Sequence, residues 1–376
     1  MYSEPAVHGS RPARLTEWNL DPFGFRSTIT IEAAAHLTAD APAGSFYFCG
    51  NRIADFHGLL ANMDPKRNRF RLWDLDAGET EGRGARFLAQ DGRRVWVSAF
   101  ARALHRVNPR ARRRTTFLPG FVPAGLALLR DGTVMLVSSG TPGKVHRLSP
   151  ESGRLQSWTL TGEEVPFSGV TAPDGSYYFA ERRLSRIGRF LPASGVLTEW
   201  QLPGFNPQLI ARDALGRIWL SDANFNNRIG RLDPLRNRVT IFQKQGVVTF
   251  SVRPVDRGRL GLRVAAADLA SYIDVVRASR VPEVDAPVTH ALLAASAAEV
   301  PRYSSRVPMT TLDIPGREHL VVPVDPPGIV RYRTPVVTPI DVTELGGVLY
   351  ATAGTFNERT GPSRIFALRT GNQHTA

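Results

Sequence analysis

The chain of 376 residues contains one cysteine, Cys49, and only three lysines. A single cysteine cannot form an internal disulfide, so the fold does not depend on one. No apolar run reaches the roughly 18 residues of a membrane-spanning helix. The amino-terminal residues also lack the apolar stretch of a secretory signal. Together these absences predict a water-soluble protein with no membrane span and a cytoplasmic location.

Acidic residues are fewer than basic residues: 47 Lys and Arg against 34 Asp and Glu give a formal net charge of +13. Clustered basic residues would indicate binding to phosphates. The arginines here are instead scattered along the chain, and no specific nucleic-acid motif is present. We therefore interpret most of them as solvated surface, with a generic anionic partner as the minor alternative. Phosphate loops, HExxH motifs and GxSxG motifs are absent as well.

A proline-containing turn recurs along the first two thirds of the chain. Each copy follows a short apolar run, and the copies return at intervals of 44, 41, 42 and 42 residues. The copies are Asp64-Pro65, Asn108-Pro109, Ser149-Pro150, Leu191-Pro192 and Asp233-Pro234. The spacing is typical of propeller blades, which repeat at about 40 to 50 residues.

Each repeat also contains a second turn and several runs that alternate as half-buried strands do. This turn is Asp-Gly at 91, 131 and 174 and Leu-Gly at 215, and Asp-Gly favours the positive backbone angles of a tight hairpin. Strand-like runs such as Val95 to Ala99 and Ile218 to Asp222 follow it. Four short antiparallel strands per repeat, with no helical period, predict the blades of an all-β propeller.

The count of repeats predicts one domain over residues 1–376, a seven-bladed β-propeller of four-stranded blades. We expect an irregular insertion at about 280–306, which could include a short helix within Thr289 to Val300. Eight blades are the alternative if 290–335 form their own. The last set of runs lacks an outer strand, whereas RLTEWNL at 14–20 repeats the outer-strand pattern LTEWQL at 197–202. We therefore predict that 14–20 pair beside 364–370 and close the ring.

The repeats at 174–204 and 215–242 resemble those of the streptogramin lyases, also called virginiamycin B lyases. The shared pattern is an aromatic run after Asp-Gly, an IGR-L-DP-like turn and a closing TEW-L-P segment, here YYFAE, RIGRLDP and LTEWQLPG. The likeness is weak after residue 246. It implies a seven-bladed propeller and, for an enzyme of this kind, a magnesium ion and a histidine that open a cyclic depsipeptide lactone by elimination.

In such propellers, one mouth of the central channel is formed where inner strands begin and second strands end. We expect a ligand to bind there. The candidate ligand-binding residues at this mouth are Asn51, Phe121, Arg182, Arg183, Phe205, Asn206 and Asn224.

Two carboxylates end neighbouring second strands in equivalent positions, Glu181 and Asp222. Carboxylate oxygens are ligands that Mg²⁺ prefers, so both are candidate metal ligands. The alternative is that each bonds backbone N–H groups of its loop or pairs with a nearby arginine such as Arg182, Arg183 or Arg228. His105 and His146 lie on third strands, where we expect their side chains to pack within the sheets.

Two functions remain open from the sequence. The first is a binding module whose mouth holds a small molecule, a peptide or a protein partner. The second is a magnesium-dependent carbon–oxygen lyase that opens a lactone, with His290 or His319 as the catalytic base. The later repeats offer no histidine where the resemblance implies one, and this favours the binding module.

Overall fold

A computed structural model describes residues 13–20, 25–33, 44–52, 54–67, 69–77, 80, 82–109, 111, 113–138, 142–160, 166–202, 205–213, 215–222, 228–243, 248–255, 260–267, 270–276, 284–286, 294–299, 302–306, 309–314, 320–322, 329–334, 338–345, 348–354 and 364–369. These residues contain strands and turns but no helix, and so none that is long and apolar enough to cross a membrane.

The strands up to residue 201 are β1 (Ala13–Asn19), β2 (Phe25–Ala33), β3 (Phe46–Arg52), β4 (Gly58–Asp64), β5 (Arg69–Asp74), β6 (Phe87–Gln90), β7 (Val95–Ser98), β8 (Leu104–Asn108), β9 (Arg113–Leu118), β10 (Pro123–Leu128), β11 (Val134–Ser138), β12 (Lys144–Ser149), β13 (Arg154–Thr159), β14 (Pro166–Thr171), β15 (Tyr177–Glu181), β16 (Arg186–Leu191) and β17 (Val196–Gln201). Those that follow are β18 (Pro207–Arg212), β19 (Ile218–Asp222), β20 (Arg228–Asp233), β21 (Arg238–Gln243), β22 (Val248–Val255), β23 (Leu260–Ala267), β24 (Ala270–Val276), β25 (Val284–Ala286), β26 (Ala294–Glu299), β27 (Arg302–Arg306), β28 (Met309–Ile314), β29 (Leu320–Val322), β30 (Ile329–Thr334), β31 (Thr338–Leu345), β32 (Val348–Gly354) and β33 (Arg364–Arg369).

The strands pair antiparallel in seven sheets, which we number in chain order. Strands β2 to β5 form the first sheet, β6 to β9 the second, β10 to β13 the third, β14 to β17 the fourth and β18 to β21 the fifth. The sixth contains β22, β23, β24 and β30, and the seventh β31, β32, β33 and β1. Four successive strands in each of five sheets are the arrangement expected of propeller-like blades.

The core lies between neighbouring sheets. The second strand of each of sheets two to five is buried along its whole length, because it has a neighbouring strand on each side and a neighbouring sheet on each face. One apolar cluster joins the second, third and fourth sheets and includes Trp96, Leu136 and Phe179. Cys49 is buried in a separate cluster beside Trp73.

The Asp-Gly turns have the predicted backbone. Gly132 and Gly175 have φ angles of +79° and +84°, which a residue without a Cβ adopts readily. The aspartate before each glycine accepts a hydrogen bond from a third-strand arginine: Asp131 from Arg147 at 2.7 Å and Asp174 from Arg189 at 2.7 Å. These arginines therefore have a local structural partner.

The predicted pairing of the amino-terminal strand with the last strand is confirmed. Strand β1 pairs antiparallel with β33, with Arg14 opposite Arg369 and Asn19 opposite Arg364. The sheet that ends the chain thus takes its fourth strand from the beginning of the chain. As a result, β1 and β33 each have a hydrogen-bonded neighbour along the edge where they meet.

The carboxy-terminal third differs from the sequence prediction in two respects, the added edge strands and the helix. Strands β25 to β29 add a fifth strand to the fourth, second, first, seventh and sixth sheets, respectively, and the third and fifth sheets have four strands each among the described residues. Within the described residues these strands form no eighth sheet. The helix suggested within Thr289 to Val300 is wrong for Ala294–Glu299, which pair with β9, because a sheet edge overrides the helix propensity of alanine.

Candidate ligand site at the upper rim

Aromatic side chains from three sheets lie where the first strands begin and the second strands end, an edge that we call the upper rim. Phe87 is the first residue of β6, Phe167 the second residue of β14, and Phe121 lies just before β10. The rings of Phe87 and Phe167 meet edge to face, with centroids 5.5 Å apart. This contact joins the second sheet to the fourth, and Phe121 and Phe167 remain half-buried.

Two arginines lie against the same aromatic ring. The guanidinium carbon of Arg86 is 4.6 Å from the centroid of Phe167, and that of Arg182 is 5.2 Å from it. Arg86 also lies 5.1 Å from the Phe87 ring and 5.5 Å from that of Phe100. Arginine over an aromatic face is a favourable contact that leaves the N–H groups at the guanidinium edge able to bind a ligand.

The positive charges of Arg86 and Arg182 repel each other. Burial, with a smaller effect of the nearby positive charge of Arg182, lowers the pKa of Arg86 to about 10. Burial also lowers the pKa of Arg182. Both arginines remain charged at neutral pH, so two cations are held beside one ring in a partly desolvated place. An anion placed between them would be stabilised.

His146 lies below Phe121 and is buried in the third sheet. The two rings are stacked with centroids 3.9 Å apart. The imidazole Nδ1 is 2.7 Å from Ser157 Oγ, and Nε2 is 2.8 Å from Ser138 Oγ. Burial, with a smaller effect of Lys144, lowers the pKa of His146 to about 3. As expected for a third-strand residue, this neutral histidine packs within the sheet and supports Phe121.

Glu181 ends β15 as predicted, but it lies in a buried ion-pair network. Its Oε2 is 3.3 Å from Arg186 Nε, and Arg186 Nη1 is 2.8 Å from Glu199 Oε2. Glu181 is fully buried and Glu199 is 2% exposed. One guanidinium on β16 therefore pairs with carboxylates on the strands at both of its sides, β15 and β17.

Asp222 and Asn51 hold the chain segments that enter the inner strands. Asp222 Oδ1 accepts the backbone N–H of Asn206 at 2.8 Å, and Asn51 Oδ1 accepts that of Ala85 at 2.6 Å. Asp222 is fully buried and Asn51 is 2% exposed. For Asp222, this is the loop-bonding alternative considered from the sequence.

The other residues that the sequence predicts for the ligand site do not lie together in the structure. Phe205 is fully buried in the core between the fourth and fifth sheets, and Arg183 is exposed beside Arg182. Asn224, His290 and His319 lie outside the described residues. The structure therefore brings Arg182 and the half-buried Phe121 to the aromatic part of the rim and places Asn51, Glu181, Phe205 and Asp222 behind it.

The described residues do not complete a magnesium site. No three of their His, Cys, Asp or Glu side chains converge so that they could hold a metal ion. Glu181 and Asp222 together would supply two carboxylates, while Mg²⁺ also needs further oxygen ligands or water in near-octahedral positions. Magnesium binding therefore stays a prediction that needs ligands from elsewhere in the chain.

The histidines of the described residues, His57, His105 and His146, are all buried. His57 Nδ1 lies 3.0 Å from Asp74, and Arg52 bridges that carboxylate and Asp55. Within this part of the chain, the imidazoles contact protein groups inside or between sheets. A histidine base at the mouth would therefore come from His290, His319 or another histidine outside the described residues.

Sequence reasoning missed Arg86, Phe87 and Phe100 as members of the rim. A signal was available for the first two, because Arg86-Phe87 begins the inner strand of the second sheet as Pro166-Phe167 begins that of the fourth. Phe100 follows β7 as Arg182 follows β15. Equivalent repeat positions thus point to the same edge.

Comparison with known proteins gives a likeness of fold. No protein-family model and no curated protein sequence matches the chain. Virginiamycin B lyase from Staphylococcus aureus superposes with a TM-score of 0.65 and 12% identity, covering 96% of this chain and 100% of that one. A catalytically inactive form of the Staphylococcus aureus lyase with quinupristin gives 0.65 and 13% over the same shares. YCF48 bound to D1 peptide gives 0.56 and 10%, covering 98% and 100%.

Proposed function

We propose that this virginiamycin B lyase-like β-propeller is a binding module, with the seven sheets as its seven blades. It takes a small molecule or a short peptide segment at the upper rim. The observation that carries the proposal is the Phe167 ring, which contacts Phe87 across the rim and lies beside the guanidinium groups of Arg86 and Arg182.

The composition of the rim supports ligand binding. Ligand sites are lined mostly by apolar and aromatic side chains with a few polar groups that fix orientation. Phe121 and Phe167 are half-buried and Phe100 is 38% exposed, so aromatic surface is presented to solvent beside charged groups. Aromatic residues and arginine also dominate the binding energy at protein interfaces.

The structurally similar proteins make both ligand classes reasonable. The Staphylococcus aureus lyase is seen with quinupristin, and YCF48 is seen with a peptide. Likeness at 10 to 13% identity concerns the fold, so neither ligand transfers to this chain by itself.

A carbon–oxygen lyase is the alternative function. It would need a base near the substrate proton and an electrophile for the developing negative charge. Glu181 beside Arg186 and Asp222 bonded to Asn206 already have structural partners, and the candidate bases His290 and His319 lie outside the described residues. These partners favour binding over elimination.

A thermal-shift panel tests the proposal. It contains neutral, anionic and cationic aromatic compounds, short peptides, and quinupristin with Mg²⁺. We expect some aromatic members to raise the melting temperature of the native chain and of Leu118→Ala, which alters an exposed apolar residue at the end of β9. The same compounds should lose their effect in Phe167→Ala.

Binding that is unchanged in Phe167→Ala would contradict the rim as the site. Chromatography of quinupristin tests the alternative separately. Elimination opens the ring without changing the mass, so retention time must be followed together with mass. A Mg²⁺-dependent shift in retention at constant mass would establish the lyase, whereas an unchanged retention time is expected for a binding module.

A further inference from the structure

We infer that the ligand of the upper rim carries a carboxylate on an apolar group, and that Arg182 binds this carboxylate with Arg86 beside it. The inference rests on the proposed ligand site and names the chemistry of its ligand. Phe167 supplies the geometry, since its ring centroid lies 4.6 Å from one guanidinium carbon and 5.2 Å from the other. Both cations are therefore close to one small ligand group.

Arg182 differs from the arginines that follow it on the fourth sheet. Arg186 lies 2.8 Å from Glu199, and Arg189 lies 2.7 Å from Asp174. Arg182 forms no ion pair with a carboxylate among the residues that the structure describes, and its contact there is the face of Phe167. The fold thus holds this half-buried guanidinium in place, and no carboxylate of the described residues pairs with it.

The second cation makes an anionic ligand more favourable. Arg86 lies against three phenylalanine rings and close enough to Arg182 for the two charges to repel. A negative group at the rim would be attracted by both guanidiniums, and partial burial weakens solvent screening of that attraction. A neutral ligand would leave the repulsion unchanged.

The surrounding groups favour a carboxylate over a phosphate. Phosphate sites commonly combine basic side chains with several backbone N–H groups. Here the N–H of Arg86 donates to the Ser98 carbonyl at 2.8 Å, and that of Phe87 donates to Ser98 Oγ at 3.2 Å. The planar fork of a guanidinium matches a carboxylate, and Phe121 and Phe100 offer apolar surface to the rest of the ligand.

Titration calorimetry with three matched probes tests the inference. N-acetylphenylalanine carries the carboxylate, N-acetylphenylalaninamide is its neutral equivalent, and phenyl phosphate carries the other oxyanion. We expect the native chain to bind the acid about tenfold more tightly than the amide, as for other hydrogen bonds to charged groups. Phenyl phosphate should bind less tightly than the acid.

Variants then assign this preference to a residue. Arg182→Gln should abolish the preference of acid over amide, Arg182→Lys should keep part of it, and Arg183→Gln, which alters the exposed neighbour, should keep all of it. Both positions lie in the turn after β15, so native melting temperatures should be preserved.

If the native chain binds the acid and the amide equally, and Phe167→Ala binds neither, the inference of a carboxylate is wrong but the ligand site is supported. A preference for phenyl phosphate would also overturn it, as would an equal loss in Arg183→Gln and Arg182→Gln. Failure of all three probes to bind would count against the carboxylate, whereas hits from the neutral part of the thermal-shift panel would still support the ligand site.

Discussion

The imidazole Nε2 of His105 lies 3.8 Å from Oδ1 of Asp76, and both side chains are fully buried between the first and second sheets. Asp76 Oδ2 accepts the backbone N–H groups of Gly58 and Arg83, each at 2.7 Å. His105 Nδ1 is 3.1 Å from Thr116 Oγ1. At 3.8 Å the contact is too long for a hydrogen bond, and neither Nε2 nor Oδ1 has a hydrogen-bond partner among the described residues. The pair thus joins two sheets through groups that titrate.

Stability should fall as the solution becomes acidic. Burial first, and then the charges of Arg114 and Arg83, lower the pKa of His105 from 6.5 to about 3. The unfolded chain therefore binds more protons between these values, and folding is progressively opposed as pH falls through this window. Burial raises the pKa of Asp76, and this opposes the loss because the folded form then binds a proton more readily.

Urea unfolding at pH 7 and pH 5 measures this effect. A neutral buried histidine should account for about 2 kcal/mol of the difference in unfolding free energy between the two pH values. His105→Gln should reduce that difference by about this amount, and so should His146→Gln, whose parent pKa is also about 3. An identical pH dependence in both variants and the native chain would contradict the assignment.

The ring of Tyr177 occupies the space that a side chain at Gly169 would need. A Cβ at Gly169 would lie 2.1 Å from the Tyr177 hydroxyl oxygen, and that hydroxyl donates to the Gly125 carbonyl. Gly169→Ala should therefore lower the unfolding free energy by about 1 to 3 kcal/mol through overpacking. Tyr177→Ala removes the obstructing ring, so the double variant should be less destabilised than the two single effects together. Simple additivity would argue against the contact.

Strand β1 should be sensitive to loss of its backbone hydrogen bonds. Thr16 lies opposite Ala367 of β33 on one side and Thr311 of β28 on the other. Proline cannot donate a ladder hydrogen bond, so Thr16→Pro should destabilise the chain by about 1 to 3 kcal/mol. Thr16→Ala keeps the backbone donor and is the matched control. Equal melting temperatures for the two variants would contradict a ladder hydrogen bond from the Thr16 N–H.

Arg186 and Arg189 offer a matched comparison on one strand. Arg186 serves two carboxylates that are nearly inaccessible, whereas the partner of Arg189, Asp174, has a side chain that is 49% exposed. Removal of one partner from a buried pair typically costs about 3 to 5 kcal/mol, and removal from an exposed pair about 0 to 1 kcal/mol. Arg186→Leu should thus be far more destabilising than Arg189→Leu in urea unfolding. Similar values would show that solvent screens both pairs.

The repeat allowed much of the fold to be predicted from the sequence. Fixed spacing of the Asp-Gly and proline turns set the strands of the first five sheets, and the copied LTEW segment located the partner of β33. The third-strand positions of His105 and His146 likewise predicted their burial. These predictions were possible because the same short sequence patterns occur in the same order in each repeat.

The remainder depends on contacts between segments that are distant in sequence. Strand β30 completes the sixth sheet after β25 to β28 have joined other sheets, and no local pattern encodes that order. The Phe167 contact with Arg86 likewise forms only when the second and fourth sheets face one another at the rim. The sequence predicts Glu181 as a possible metal ligand because its position in the repeat does not reveal that Arg186 lies 3.3 Å away.

Arginine side-chain NMR is the most direct test of ligand binding at the upper rim. The chain is labelled with ¹⁵N-arginine, Nε–Hε signals are assigned with Arg182→Lys and Arg183→Lys, and N-acetylphenylalanine is added. We expect the Arg182 signal to shift and saturate with the Kd found by calorimetry, while the signals of exposed Arg183 and of Arg189 stay in place. Calorimetric binding without a shift at Arg182, or with shifts only at Arg183 and Arg189, would contradict this expectation.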